Sequence, residues 1–207
     1  MNFPDHYLTF IIAALIASAL PGLAVIGAFT TSLKYGSKNG VIFSLGLVAA
    51  STFYFFLSSL GLIVILEKFR GLFSVIKYLG IAYLFYIGVQ SFFSKATIVE
   101  VKSGLRQNEL SWKYFFSGFL VHLINPKNIL FFILILPQYL NLEKPLYEQF
   151  VWLTIGSSVP EFIVLLLYVY FAKWLKQILK EEKNMLLFNK VSGILFICLS
   201  ASMLVLF

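Results

Sequence analysis

The sequence predicts an all-α membrane protein, with six transmembrane helices as two inverted three-helix repeats in which helices 1 and 4 are broken. Three observations predict it. Of the 207 residues, 60% are hydrophobic and 12% charged, and a mean hydropathy of +0.90 leaves too few polar side chains to coat a water-soluble globule. Six apolar stretches each reach at least the roughly 20 residues that a spanning helix needs. Two of these are interrupted near their middles, at Pro21-Gly22 and at Asn125-Pro126-Lys127, about half a chain apart. Unwound backbone is tolerated at bilayer depth only where it is buried in protein or lines a cavity, so paired breaks in two halves point to the substrate site of a secondary transporter.

The stretches run Tyr7 to Ser32, Gly40 to Leu66, Gly71 to Phe93, Tyr114 to Leu140, Tyr147 to Ala172 and Met185 to Phe207. None alternates apolar with polar residues over the length of a barrel strand. In the first, Ala17-Ser18-Ala19 resembles a signal-peptide cleavage site, but the residues ahead of it include Asp5 and no Lys or Arg, so the segment reads as a span. In the second, the aromatic run Phe53 to Phe56 either narrows the cavity or faces lipid, and lipid is the favoured reading because Phe is an ordinary lipid neighbour. Pro160 in the fifth is expected to open that helix and free the carbonyl of Gly156. Cys198 in the sixth is the single cysteine, which excludes an intramolecular disulfide and suggests a small packing residue.

A polar connector, 94–113, divides a single transmembrane domain, 1–207, into repeat A (7–93) and repeat B (114–207). The halves can be overlaid. Pro21 aligns with Pro126 at an offset of 105, Gly46 with Gly156 at 110, and Lys77-Tyr-Leu-Gly80 with Lys190-Val-Ser-Gly193 at 113. A unit with an odd number of spans enters the membrane from the opposite side the second time, so the halves are expected to be inverted.

Of the 16 Lys and Arg residues, 11 fall on one side of this topology (Lys34, Lys38, Lys95, Lys102, Arg106, Lys113, Lys173, Lys176, Lys180, Lys183 and Lys190). Four fall on the other: Lys68, Arg70, Lys77 and Lys144. Cytoplasmic loops collect basic residues, which places loops one, three and five in the cytoplasm and both termini outside. The same rule explains the net charge of +7. A nucleic-acid partner is not expected, because the aromatic residues sit in the spans and not beside a basic face. The spacing Gly36-xxx-Gly40-xxx-Ser44 permits close helix contact, either within one chain or in a homo-oligomer.

The sixteenth basic residue is Lys127 itself, at the second break. A buried ammonium is costly and should face the bundle interior with a partner, and Glu161 in the fifth span is the available carboxylate. Proline removes a backbone hydrogen bond, so Pro21 should free the carbonyl of Ala17 and Pro126 that of His122. Asn125-Pro126 also reads as a helix start, with an Asn cap and a proline at the first helical position. The N-H groups and positive dipole end of such a half-helix attract an anion, and a carboxylate is the natural small ligand. The expected site is therefore Pro21, Gly22, Asn125, Pro126, Lys127 and Glu161, with Lys127 near a substrate carboxylate and Glu161 taking a substrate ammonium or a proton. A plain Lys127–Glu161 ion pair without transport duty is the alternative. His122, five residues before the break, is a second proton-coupling candidate.

Other chemistries find no support in the sequence. The two histidines, His6 and His122, have no acidic partner at helical spacing, so no metal is expected. No phosphate-binding GxxxxGK[ST] loop is present, and neither a cofactor nor nucleotide hydrolysis is expected. No Ser/His or paired-carboxylate arrangement with catalytic spacing appears, so the chain does not read as an enzyme. Energy would come from an ion gradient, or the solute would move downhill.

These residues carry a resemblance to a known family. Leu20-Pro21-Gly22, Lys77-Tyr-Leu-Gly80-Ile-Ala-Tyr-Leu-Phe-Tyr-Ile-Gly88, and Asn125-Pro126-Lys127-Asn-Ile-Leu-Phe-Phe followed by Leu136-Pro137-Gln138-Tyr139 resemble the LysE/RhtB family of bacterial amino acid exporters over nearly the whole chain. The resemblance implies a six-helix carrier of the bacterial inner membrane that expels amino acids or close derivatives against protons. Two departures stand out. Leu23 follows Pro21-Gly22 where the family often has a second proline, and Ser51 and Thr52 stand where many relatives have an acidic or polar residue in the second helix. The alternatives are an exporter of another small solute or ion, and a membrane scaffold without transport.

Overall fold

The computed structural model describes residues 4–19, 22–68, 70–94, 110–141, 143–179 and 181–206. Among these the secondary structure is helical throughout: α1 Tyr7–Ala19, α2 Leu23–Tyr35, α3 Ser37–Lys68, α4 Arg70–Phe92, α5 Ser111–Leu123, α6 Pro126–Leu130, α7 Leu146–Tyr170, α8 Ala172–Leu179 and α9 Glu182–Leu206. Pro21 lies outside the described residues, as do the side chains of Pro126 and Lys127.

Among the described residues, three helices are long and apolar enough to cross a membrane, with spans Ser37–Leu60, Leu146–Tyr170 and Glu182–Val205. Two bent pairs raise this to five: α1 with α2, turning by 53°, and α5 with Asn128–Tyr139, turning by 59°. Both turns fall where the sequence places helix breakers. The sixth expected span coincides with α4, whose apolar portion is counted over Tyr78–Phe92. As a whole, α4 has 23 residues, Arg70–Phe92.

Local chemistry accounts for the less regular pieces. Gly36, between α2 and α3, has φ 89°, a conformation that costs a side-chain-bearing residue steric strain, and its N-H donates to the carbonyl of Ser32. After α6 the helix widens into a π turn over Phe131–Ile135 and then tightens into a 3₁₀ turn over Leu136–Tyr139. Pro137 supplies the reason, since it has no N-H to continue the α-helical ladder. Pro160 behaves differently. The sequence led us to expect an opened helix there, but α7 continues through it, held on both sides by packing against α1 and α3.

Helix pairing follows the glycines. The α3–α5 crossing brings Gly46 onto the backbone of Phe115 and Phe119, and Gly118 onto that of Phe43. A side chain at either position would collide with main chain, so only glycine permits this approach. The α4–α9 crossing uses Gly88 and Gly193 in the same way, while Gly156 of α7 accepts the ring of Tyr7 from α1. Two apolar clusters result, one around Phe10, Phe55, Phe132, Tyr139 and Phe196 and the other around Val25, Phe43, Leu47, Leu165 and Val169.

The aromatic run of α3 divides by helical rotation, not as a uniform lipid-facing stripe. Phe53 and Phe56 are exposed, Phe55 is buried against Phe10 and Phe132, and Tyr54 donates its hydroxyl to the carbonyl of Leu123. Cys198 points outward from α9 instead of packing inside.

Candidate functional site

Breaking a helix leaves carbonyl groups without their usual donors, and in an apolar medium each needs a replacement. At the first break, Tyr168 of α7 donates its hydroxyl to the carbonyl of Ala19 at 2.9 Å. At the second, Tyr54 of α3 serves Leu123, and the Asn128 side-chain amide donates to the carbonyl of His122 at 3.2 Å. The Asn125 N-H shares that His122 carbonyl, also at 3.2 Å. The carbonyl that Pro126 was expected to free is thus taken up by the break's own asparagines.

The two breaks border one cavity of about 70 Å³. That volume suits several waters or a small polar group. Ala17 and Gly22 line it from the first break and His122, Asn125 and Asn128 from the second, with Ser51 of α3, Glu161 of α7 and Phe131 and Phe132 of the π turn completing much of the wall. Members of both apolar clusters also border it, Val25 and Leu165 from one and Ile135 and Phe196 from the other.

Polar chemistry concentrates at one corner. The Ser51 hydroxyl donates to Glu161 Oε2 at 2.7 Å and lies 2.7 Å from His122 Nε2. His122 Nε2 and Glu161 Oε1 are 3.5 Å apart. All three residues are more than nine-tenths buried, with relative exposures of 3%, 4% and 7% for Ser51, His122 and Glu161. Buried polar groups of this kind require partners, and here each finds one on a different helix. The trio therefore ties α3, α5 and α7 together at the cavity wall.

The trio corrects one expectation, since a serine and a histidine do meet although no such pair is legible in the sequence. The order nevertheless differs from a nucleophilic triad. There the imidazole stands between serine and acid and takes the serine proton; here the serine stands between acid and imidazole and gives its hydrogen to the carboxylate.

Of the expected site residues, Gly22, Asn125, His122 and Glu161 border the cavity. Pro126 begins α6 and Lys127 follows it in the backbone. Whether Lys127 meets Glu161 falls outside the described residues, as does the placement of Pro21. Ser51 is the residue that sequence reasoning passed over. One signal could have found it: Ser51 follows Gly46 by five residues, as Glu161 follows Gly156, so the two occupy matching positions of the overlaid halves.

The model of the LysE type translocator matches residues 15–206. The chain belongs to this family. Among LysE relatives, the uncharacterized membrane protein YrhP of Bacillus subtilis is 32% identical over 197 residues, covering 92% of this chain and 94% of the relative. The homoserine/homoserine lactone efflux protein of Salmonella typhimurium is 26% identical over 197 residues, with 95% of each chain covered. An uncharacterized membrane protein of Vibrio cholerae is 26% identical over 192 residues, with 92% of each covered. No solved structure matches. The chain is thus a membrane translocator of the LysE type, built from apolar helices.

Proposed function

We propose that this LysE-type translocator exports amino acids or close derivatives from the cytoplasm across the bacterial inner membrane, by proton antiport. The observation that carries the reading is the buried Glu161–Ser51–His122 trio on the wall of a cavity where two broken helices meet. Ionisable groups inside a membrane are costly and mark substrate or proton paths. The similarity to an efflux protein for homoserine and its lactone supports a small amino-acid-like solute.

In this reading the substrate carboxylate meets Asn125, Pro126 and Lys127 at the start of α6, beside Pro21 and Gly22 of the other break. Glu161 receives the ammonium group or the returning proton, and His122 shares the proton. The chain crosses six times as two inverted repeats, with both termini outside, and one repeat rocks against the other. Helix pairing supports the inversion. The α3–α5 crossing at Gly46 and the α7–α1 crossing at Gly156 are counterparts under the overlay, and a tyrosine of α3 or α7 satisfies a terminal carbonyl of each partner helix.

The test is efflux from cells preloaded with labelled amino acids or a dipeptide mixture, comparing wild type with Lys127→Ala and Glu161→Gln at matched membrane abundance. Faster loss of a subset of amino acids, abolished by either substitution, is expected. Loss no faster than from cells lacking the protein would move the reading to another solute or to a scaffold.

A further inference from the structure

We infer that Ser51 is a two-way proton relay, through which the protonation of Glu161 sets which ring nitrogen of His122 bears its hydrogen. As a coupling step this rests on the exporter reading; as hydrogen-bond chemistry it stands on the trio itself.

A serine hydroxyl has one hydrogen to donate, while an ionised carboxylate only accepts. With Glu161 ionised, the Ser51 hydroxyl donates to Oε2 at 2.7 Å, so the equally short contact to His122 Nε2 requires the imidazole to donate. His122 then holds its hydrogen on Nε2. With Glu161 protonated, the chain of bonds reverses: the carboxyl donates to Ser51, Ser51 donates to Nε2, and the ring hydrogen resides on Nδ1. Each arrangement places one hydrogen in each of the two short bonds, Oε2 to Oγ and Oγ to Nε2. The direct His122–Glu161 contact, at 3.5 Å, is too long to substitute for the hydroxyl.

The passage between the two arrangements balances. One proton arrives at Nδ1, the Nε2 hydrogen moves to the Ser51 oxygen, and the Ser51 hydrogen moves to Oε2. One proton has entered, one carboxylate has been neutralised, and the imidazole is neutral before and after. Among the described residues, the other titratable groups on the cavity wall or at the break carbonyls are tyrosines. Tyr54 of α3 and Tyr168 of α7 have their hydroxyls on the carbonyls of Leu123 and Ala19, and Tyr83 of α4 borders the cavity. The sequence also sets Lys127 on α6. No tyrosine hydroxyl replaces Ser51 in the line. Because Asn128 holds the carbonyl of His122, a reversal at Nε2 acts on the residue that anchors the second break.

The full chain in lipid nanodiscs, labelled with ¹⁵N-histidine, provides the test. It has two histidines, so His6→Gln leaves the signal of His122 alone. Nitrogen shifts report the tautomer, while the infrared carboxyl band absent from Glu161→Gln reports protonation of Glu161. In wild type and Ser51→Thr the tautomer is expected to pass from Nε2-H to Nδ1-H in step with that band. In Ser51→Ala the band still titrates but the tautomer no longer follows it. One constant tautomer in wild type while Glu161 takes up its proton overturns the relay, and the wild-type measurement decides this even if Ser51→Ala fails to fold. An unchanged tautomer switch in a folded Ser51→Ala overturns it as well. Flux in the same lipids separates the two claims. With the relay, Ser51→Ala loses proton-driven amino acid accumulation by about tenfold and keeps amino acid exchange. A wild type that switches tautomer but moves no amino acid refutes the exporter reading and leaves the relay chemistry standing.

Discussion

The two broken helix pairs turn by nearly the same angle, 53° and 59°, yet they present different chemistry to the cavity between them. The first contributes small side chains, Ala14, Ala17, Ser18 and Gly22; the second contributes His122, Asn125 and Asn128. Their carbonyls are also served differently. The first break relies on Tyr168 from α7, whereas the second uses its own Asn128 as well as Tyr54 from α3. A bend by itself makes room. What the room recognises depends on the side chains set at the bend, and here those lie on one side.

The sharpest way to break this comparison is at the helix crossings that support each pair. Gly46→Val drives a side chain into the backbone of Phe115 and Phe119, which cannot yield, so we expect a loss of about 3 kcal/mol or more and little folded protein in the membrane. Gly156→Ala meets the Tyr7 ring instead, a side chain that can turn aside, and should cost about 1 kcal/mol. Thermal unfolding in detergent, with recovery of monodisperse protein, measures both. Equal damage at the two positions would mean that the crossings do not differ as described.

The next pair compares the carbonyl caps. Asn128→Ala and Tyr168→Phe each remove a donor from a break carbonyl, and each should cost about 1–3 kcal/mol. Their effects on transport should diverge. Asn128→Ala disturbs the helix end bearing His122 and is expected to slow efflux beyond its effect on abundance, whereas Tyr168→Phe should slow it only in proportion to abundance. Efflux normalised to membrane protein distinguishes them.

The smallest effect lies at the end of the molecule where the first pair begins. Asp5, ahead of α1, accepts from Lys144 Nζ at 2.5 Å and from Asn141 Nδ2 at 2.6 Å. The hydrogen bond from Lys144, then that from Asn141, holds the Asp5 carboxyl below its ordinary value of 3.8. A carboxyl depressed on folding contributes stability above its unfolded value, and that contribution disappears as pH falls through the depressed one. The pair is exposed enough for solvent to screen it, so Asp5→Asn should cost less than about 1 kcal/mol at neutral pH and nothing in strong acid. Unfolding midpoints at both pH values check the sign.

The sequence made the helical class and the positions of both bends legible because proline and glycine act on their own backbone, within a few residues. Pro21-Gly22 and Asn125-Pro126 needed no tertiary information. The meeting of His122 with Glu161 was not legible, since it depends on how α5 and α7 rotate about α3 and on a third residue, Ser51, that links them. Serine in a membrane helix is common, and in the sequence Ser51 stands out only as one of two residues, with Thr52, where many relatives have an acidic or polar residue. The division of Phe53 to Phe56 into inward and outward faces likewise depends on what surrounds α3, with Phe10 and Phe132 against Phe55 and Leu123 against Tyr54, which adjacency in sequence does not reveal.

The α3 helix has 32 residues, about 48 Å at 1.5 Å per residue. It meets the backbone of α5 at Gly46, the tenth of those residues. Such a rod works as an unequal lever with its fulcrum at a glycine. The arm from Gly46 to Lys68 is more than twice as long as the arm from Gly46 to Ser37, and Ser51 sits just beyond the fulcrum on the long arm. A slight tilt at the crossing would scarcely shift Ser51, leaving its hydrogen bonds intact, while the far end of α3 sweeps through a much wider arc.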